Sequence, residues 1–327
     1  MKNKFIFFLI YLFLNNFAFA EGFKFETSEI EIINDGKLIN AKNGKAISED
    51  TNLEIIAKNF KYNKELNVLN AYNGIAYIKS DNLEIEFDVI NLDQKNSILT
   101  AKNNIKIIEL KKDISIETDL IIFNRKKNII ESSSFSTLKD KSNNILTTEN
   151  FQYNLNENIL KVENANLKDF NQNNFFIKTA FLNTTSNELF GKDVSIDLDN
   201  KSFNKDNEPR LKGRSFVHNN KTTEITKGIF STCKKREGCP PWQISAKEIQ
   251  HDRKKKVINY KNAWLKIYDV PVMYFPKFFH PDPTVDRRSG FLVPTIKNSP
   301  NSNSYLSVPY FSAISLNKDI TFTPRFY

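Results

Sequence analysis

The feature that most constrains this chain is a repeat. The segment LINAKNGKA from Leu38 and the segment VLNAYNGIA from Val68 match at Asn40/Asn70, Ala41/Ala71, Gly44/Gly74 and Ala46/Ala76. Farther along, the apolar pairs Val68-Leu69, Ile98-Leu99, Ile129-Ile130, Ile159-Leu160 and Leu189-Phe190 recur at steps of about 30 residues, the kind of period that marks stacked supersecondary units. Ahead of the first four pairs stand Phe60-x-Tyr62-Asn63, Ile90-x-Leu92-Asp93, Ile121-x-Phe123-Asn124 and Phe151-x-Tyr153-Asn154. The fifth, Ala180-x-Leu182-Asn183, fits if its turn holds one extra residue. Units of this kind fill residues 30–200.

Each unit reads as an alternating strand, a short polar turn and a second strand. In the second unit these are Ile56-x-Lys58-x-Phe60-x-Tyr62, then NKELN, then Val68 onward. Apolar residues sit at i and i+2 rather than at i, i+3 and i+4, so helices are excluded. One strand pair cannot bury its apolar face alone, so the units must stack into a long sheet with one set of alternate side chains pointing inward. Phe60, Tyr62, Phe123, Phe151 and Tyr153 are the aromatic residues of that set and the candidate lining residues. Periodicity alone leaves two interiors open, the dry core of a β-sandwich and a groove that carries an apolar ligand.

The start of the chain has its own logic. Lys2 and Lys4 precede the apolar run Phe5–Leu14, and Ala18-Phe19-Ala20 supplies a small-x-small cleavage site. Residues 1–20 therefore read as a secretory leader, and the run is too short to span a bilayer, which takes roughly 20 residues. The formal charge of +9 is scattered as lysine among asparagines. A nucleic-acid binder would gather it into a stripe, so no nucleic-acid partner is expected. The one cluster, Arg253–Lys256, reads as a solvated turn.

Beyond Phe230 the repeat gives way to an ordered series: CPPWQI, HD, NAWLKI, DVPVMYFP, HPDPTVDRRSGFLVP, VPYF and NKDITFTP. This series closely resembles the LptD family of lipopolysaccharide-assembly outer-membrane proteins, and the upstream repeat is similar to that family's OstA-like periplasmic domain. The resemblance implies an all-β chain with a periplasmic β-jellyroll, or taco, over residues 21–270. A Pro-rich hinge would follow over 271–288, punctuated by Pro271, Pro276, Pro281 and Pro283. Residues 289–327 would be the first strands of an antiparallel outer-membrane β-barrel, at Ser289–Ile296, Tyr305–Ile314 and Ile320 to the end. It further implies lipopolysaccharide as cargo, acyl chains inside the sheet and sugars outside, a plug lipoprotein LptE, an LptA-like bridge jellyroll that pairs at an exposed first strand around Phe23–Ile33, and residence in the cell outer membrane with this part mainly periplasmic. No cofactor or metal is implied.

Two further sets of residues take their meaning from the family. Prolines on the first two barrel strands weaken pairing at a lateral gate, because proline lacks the N–H that a ladder needs. The matching positions are Pro294 and Pro309. Family members carry long-range disulfides, and Cys233 and Cys239 depart from that pattern because no cysteine lies near Glu21. A local bridge, pairing with cysteines farther along and free thiols all stay open in an oxidising compartment.

Motifs bear on the rival functions. The chain has no G-x-S-x-G, no H-E-x-x-H and no glycine-rich phosphate loop, so a lipid A-modifying enzyme finds no support and no enzymatic activity is expected. His280, Asp282, Asp286 and Arg287 cluster within a Pro-rich stretch that reads as a turn. A soluble bridge protein built from the repeat alone would not need SGFLVP. A closed barrel needs many more strands than residues 289–327 supply, so a longer reading frame is expected.

Overall fold

The computed structural model describes residues 22–48, 52–198, 207–219, 221–235, 238, 240–281, 289–292, 294–299, 302–315 and 317–327. The expected leader at 1–20 lies outside them. Every regular element among the described residues is a β-strand and every pairing is antiparallel, so the all-β expectation is borne out. The chain divides into two compact units, Met1–Lys127 and Asn128–Tyr327.

In the first unit seven strands follow one another as hairpins: β1 (Lys24–Ile33), β2 (Leu38–Ser48), β3 (Leu53–Asn63), β4 (Val68–Ile78), β5 (Leu83–Asp93), β6 (Ile98–Glu109) and β7 (Ile114–Asn124). Their buried residues do not keep one alternation. In β2 they are Ile39 and Ala41, then Ala46 and Ser48; in β3 they are Leu53, Ile55 and Ala57, then Phe60 and Tyr62. The simple reading that put Ile56 on the face of Phe60 is thereby corrected, since Ile56 points outward. The physical reason is a corner in the middle of each strand. The β2–β3 ladder runs Lys42↔Asn59 and then Gly44↔Ala57, passing over Asn43, which sits at φ 48°. Asn73 on β4, and Asn103 with Asn104 on β6, take the same left-handed conformation, which asparagine enters more readily than other residues with a side chain. At such a corner the strand bends and its alternation shifts, so that both halves present apolar side chains to the same interior.

Ring contacts show that the sheet folds over at these corners. Phe25 lies on the half of β1 that pairs with Ala46, whereas Phe60 lies on the half of β3 that pairs with Ala41. Strands flanking a common neighbour are about 9.5 Å apart in a flat sheet. Even so, the Phe25 and Phe60 centroids are 5.9 Å apart, and those of Phe23 and Tyr62 5.5 Å apart. Beside the corner, Gly74 permits close approach of the neighbouring strand: a Cβ there would lie 2.1 Å from the carbonyl oxygen of Ile56. The matched glycine, Gly44, meets the Glu26 carbonyl oxygen in the same way.

The polar turns explain the recurrent Asn and Asp. Asn63 Oδ1 accepts the N–H of Leu66, and Asp93 Oδ1 that of Asn96. In the second unit Asn154 and Asn183 do the same for Glu157 and Ser186. Such Asx turns let a short polar side chain close the hairpin. The fifth turn needs no extra residue. It runs from Thr184 to Asn187 between strands ending at Asn183 and starting at Glu188, so Leu189 is the buried counterpart of Leu69 and Glu188 occupies the half-buried position before it.

The second unit continues the design. Strands β8 (Ile129–Ser132), β9 (Ser136–Lys139), β10 (Ile145–Thr148) and β11 (Asn150–Asn154) are short. Next come β12 (Ile159–Lys168), β13 (Asn174–Asn183), β14 (Glu188–Asp197), β15 (Arg210–His218), β16 (Thr222–Ser231), β17 (Trp242–Asp252), β18 (Val257–Ile267) and β19 (Val270–Pro281). Corners recur at Asn164, Asp193, Lys227 and Asn262, all at positive φ. The expected sheet boundary at 270 moves: residues 271–281, assigned to the hinge from their prolines, form strand β19 on β18. Pro276 is tolerated because the ladder passes over the Asn262 corner opposite it, and Pro271 because the register shifts at Leu265/Lys266. Residues 282–288 lie outside the described residues.

Among the described residues from 289 onward there are six short strands: β20 (Gly290–Phe291), β21 (Thr295–Ser299), β22 (Ser302–Ser307), β23 (Tyr310–Ser315), β24 (Lys318–Phe322) and β25 (Arg325–Phe326). They form two separate three-stranded sheets, β20-β23-β24 and β21-β22-β25. Each expected strand is thus cut in two, with Pro294, Pro309 and Pro324 at the cuts.

Candidate functional site

All five aromatic residues expected on the inner face are on it. Phe60 and Tyr62 in the last part of β3, Phe123 on β7, and Phe151 and Tyr153 on β11 are between 0% and 3% exposed. Each lies at the end of its strand that enters a polar turn, because the corner returns the apolar set to the interior just there. Phe60, Tyr62 and Phe123 belong to the first unit, Phe151 and Tyr153 to the second. Within each unit the interior is closed by side chains that meet across the fold, Phe25 on Phe60 in the first and Phe175 on Phe216 in the second.

Hydroxyls on this set are satisfied at the turn edge, leaving the rings apolar. Tyr153 Oη lies 3.0 Å from Thr184 Oγ1, and Tyr62 Oη donates at 3.3 Å to Gln94 Oε1. Burial pushes the Tyr62 phenol up from its ordinary range, so it stays a neutral donor. What results is an interior of hydrocarbon and ring surface rimmed by neutral polar groups. Such an arrangement can hold apolar chains.

The second unit adds residues that motif reading undervalued. His280 is on β19 and faces inward, sharing a 2.8 Å hydrogen bond with the Tyr260 hydroxyl, so the turn assigned to it is corrected to a strand. His218 Nδ1 lies 2.9 Å from Thr223 Oγ1 and its ring edges onto Phe175. Burial, then the Arg253 charge and His251, hold its pKa at about 3. The Arg253–Lys256 cluster is a turn, as expected, but Arg253 reaches back to His218 rather than standing free in water. Neither histidine carried a sequence signal, because a lone histidine in an apolar run looks like any other.

The candidate gate residues are half-buried at the strand cuts. Leu292 N–H donates to the Pro309 carbonyl at 2.8 Å, continuing the β20–β23 register, and Val308 N–H to the Pro324 carbonyl at 3.3 Å, continuing the β22–β25 register. Pro324 was missed, although NKDITFTP ends on it and it continues the equal spacing of Pro294 and Pro309. Cys233 is half-buried, its thiol donating at 3.8 Å to the Trp242 carbonyl. Cys239 lies outside the described residues, so the pairing stays a proposal.

Fold and interior define a class: an all-β chain of cornered antiparallel strands with an apolar interior. No family model matches the chain. About a third of it is similar to curated proteins named LPS-assembly protein LptD. The match is 37% identical to that of Yersinia enterocolitica over 108 residues, 33% of this chain and 13% of the relative. It is 36% identical to that of Sodalis glossinidius over 108 residues, and 38% to that of Nitrosococcus oceani over 106. The resemblance read from the C-terminal motifs is borne out. The matched part spans 13–14% of the length of these relatives.

Proposed function

We propose that the chain is part of a lipopolysaccharide transport and assembly device of the outer membrane, and that it moves its cargo without chemistry. The observation that carries this reading is the inward aromatic set within a folded sheet, in a chain a third of which matches proteins named for lipopolysaccharide assembly. Acyl chains would travel in the interior while sugars stay in water. Shielding hydrocarbon from water is worth roughly 25 cal/mol per Å², so an apolar interior is a sufficient driving force for holding the tails. Because side chains fill that interior, the two halves of the bent strands part to admit a chain, and the cross-fold ring contacts are the ones exchanged.

The remaining assignments follow from the same reading. The chain is mainly periplasmic, with residues 289–327 beginning a barrel in the cell outer membrane that takes LptE as its plug. The outer edge of β1, where Ile30 and Ile32 are exposed, accepts an LptA-like bridge by strand addition. Pro294 and Pro309 loosen the first barrel strands so that a lateral gate opens. Photo-crosslinkers at positions 60, 62, 123, 151 and 153 should capture lipopolysaccharide in cells. Capture no better than at outward-facing Lys61 would sink the proposal.

A further inference from the structure

The outer face of the second unit is hollowed at one place. Alternation along β13 to β16 sends Phe175, Ile196, Leu211 and Phe230 into the interior, where they are between 1% and 4% exposed. Their neighbours face out, and the ladders set them in two rows: Phe176↔Ser195↔Lys212↔Ile229, and beside it Asp197↔Arg210↔Ser231. A serine in a row of longer side chains leaves a hollow, and Lys235 of the following loop also faces it. The result is a cleft of about 490 Å³. Small-ligand sites commonly measure roughly 300–1,000 Å³.

The chemistry of the cleft is that of an anion site beside a ring. Lys235 Nζ pairs with Asp197 Oδ2 at 2.8 Å, which neutralises the carboxylate among the described lining residues. Glu208 accepts the Lys235 N–H at 2.6 Å and so anchors that loop. Arg210 is the ladder partner of Asp197, yet its Nη1 donates to the carbonyls of Glu208, at 3.1 Å, and Cys233. These acceptors are uncharged, so the guanidinium is oriented while its charge stays uncompensated, as does that of exposed Lys212 beside it. Arginine and lysine in this state suit a phosphate. Phe176, 45% exposed, supplies a ring whose negative π face accepts the C–H side of a sugar. Phe176 and Lys212 flank Ser195, hence their strands are about 9.5 Å apart, room for a hexose on one and its phosphate on the other.

Placement favours the same ligand. Strands of this unit bend at their corners, at Asp193 in β14 and Lys227 in β16, so strand ends form the lip of the fold. The cleft lies at that lip, where β14 ends at Asp197, β15 begins at Arg210 and β16 ends at Ser231. A molecule whose apolar part occupies the interior presents its head group there.

We propose that this cleft is a subsite for a phosphorylated sugar, the phosphate on Arg210 and Lys212 and the sugar ring on Phe176, and that it holds the charged head of the cargo. The inference rests on the transport reading and deepens it by giving the head group a site on the outer face. Calorimetric titration of the purified full chain with glucose 1-phosphate, inorganic phosphate and glucose tests the chemistry. Glucose 1-phosphate should bind saturably and more tightly than either of the others. Lys212→Gln should weaken it about tenfold, the effect of losing one charge-assisted hydrogen bond. Lys61→Gln, on the outer face of β3, should change nothing. Absence of saturable binding, equal affinity for inorganic phosphate, or indifference to Lys212→Gln overturns the proposal. The source of the sugar phosphate is tested in cells. A photoreactive phenylalanine analogue in place of Phe176 should capture lipopolysaccharide, and one in place of Lys61 should give background only. Capture from position 123 with background from 176 overturns the head-group subsite and leaves the transport reading intact. Background from 123 as well overturns the transport reading, and with it the cargo's head as the occupant.

Discussion

Strands of the first unit and strands of residues 289–327 are both interrupted halfway along, and the outcomes are opposite. At Asn43 and Asn73 the chain takes a left-handed residue, passes over one pair and resumes the same ladder with the same neighbour. At Pro294, Pro309 and Pro324 the regular pairing is interrupted, hydrogen bonds from Leu292 to Pro309 and from Val308 to Pro324 keep the register, and the halves fall in different sheets. Asparagine bends a strand while keeping its N–H; proline removes the donor from the edge it shares. A corner made of asparagine therefore keeps the donor that the ladder uses, whereas a break made of prolines lacks one donor at each proline.

The comparison can be broken at several points. Phe123→Ala would empty an interior position that is 0% exposed, and unfolding of the purified chain should report a loss of about 3–5 kcal/mol. A loss within noise would mean that the closed interior is not what holds the bent strands together. His218 tests the second unit. Its pKa lies at about 3 in the folded chain against an ordinary 6.5, so the unfolded state binds the proton first as pH falls. Its stabilising contribution is complete above about pH 6.5 and is lost as pH falls from there toward 3; His218→Phe should flatten that part of the pH–stability curve.

Smaller effects sharpen the corner itself. Gly74→Ala should cost about 1–3 kcal/mol, because the added methyl meets a backbone oxygen that can yield only if the strand moves. Asn73→Val should cost about 1–2 kcal/mol in the same unfolding assay while Asn73→Gly stays close to neutral; equal costs would show that side-chain contacts rather than backbone conformation set the corner. The smallest effect is expected at the seam. Pro309→Ala restores one donor, worth about 0.5–1.5 kcal/mol if it finds an acceptor, and should slow hydrogen exchange in β22 and β23. Unchanged exchange would count against proline as the cause of the split.

Much of this architecture is legible in the amino-acid sequence. The period of the repeat, the Asx residues closing each turn and the inward set of aromatic residues all follow from local rules, since hairpin closure and half-buried alternation are decided by residues near one another in sequence. The corners are not legible as corners. Ile56, Lys58, Phe60 and Tyr62 read as one alternating strand, and only the pairing of β3 with β2 and β4 shows the phase shift that sends Ile56 out and Phe60 in. Residues 271–281 read as a hinge for a related reason, because a proline-rich stretch looks like one until its pairing with β18 is seen, where the ladder passes over Pro276 and shifts register beside Pro271.

By itself, then, the sequence determined that this protein is built of β-hairpins, where the first four matched turns of the repeat fall, and that alternate apolar residues are shielded from water; these are consequences of composition and spacing along one strand. Tertiary structure alone decided that the strands are cornered, that Phe25 meets Phe60 across the fold, that His280 joins Tyr260, and that Val308 bonds to the Pro324 carbonyl. Those facts depend on which strands lie side by side. That is settled by the cooperative burial of an interior drawn from residues far apart in the chain, a quantity no local pattern contains.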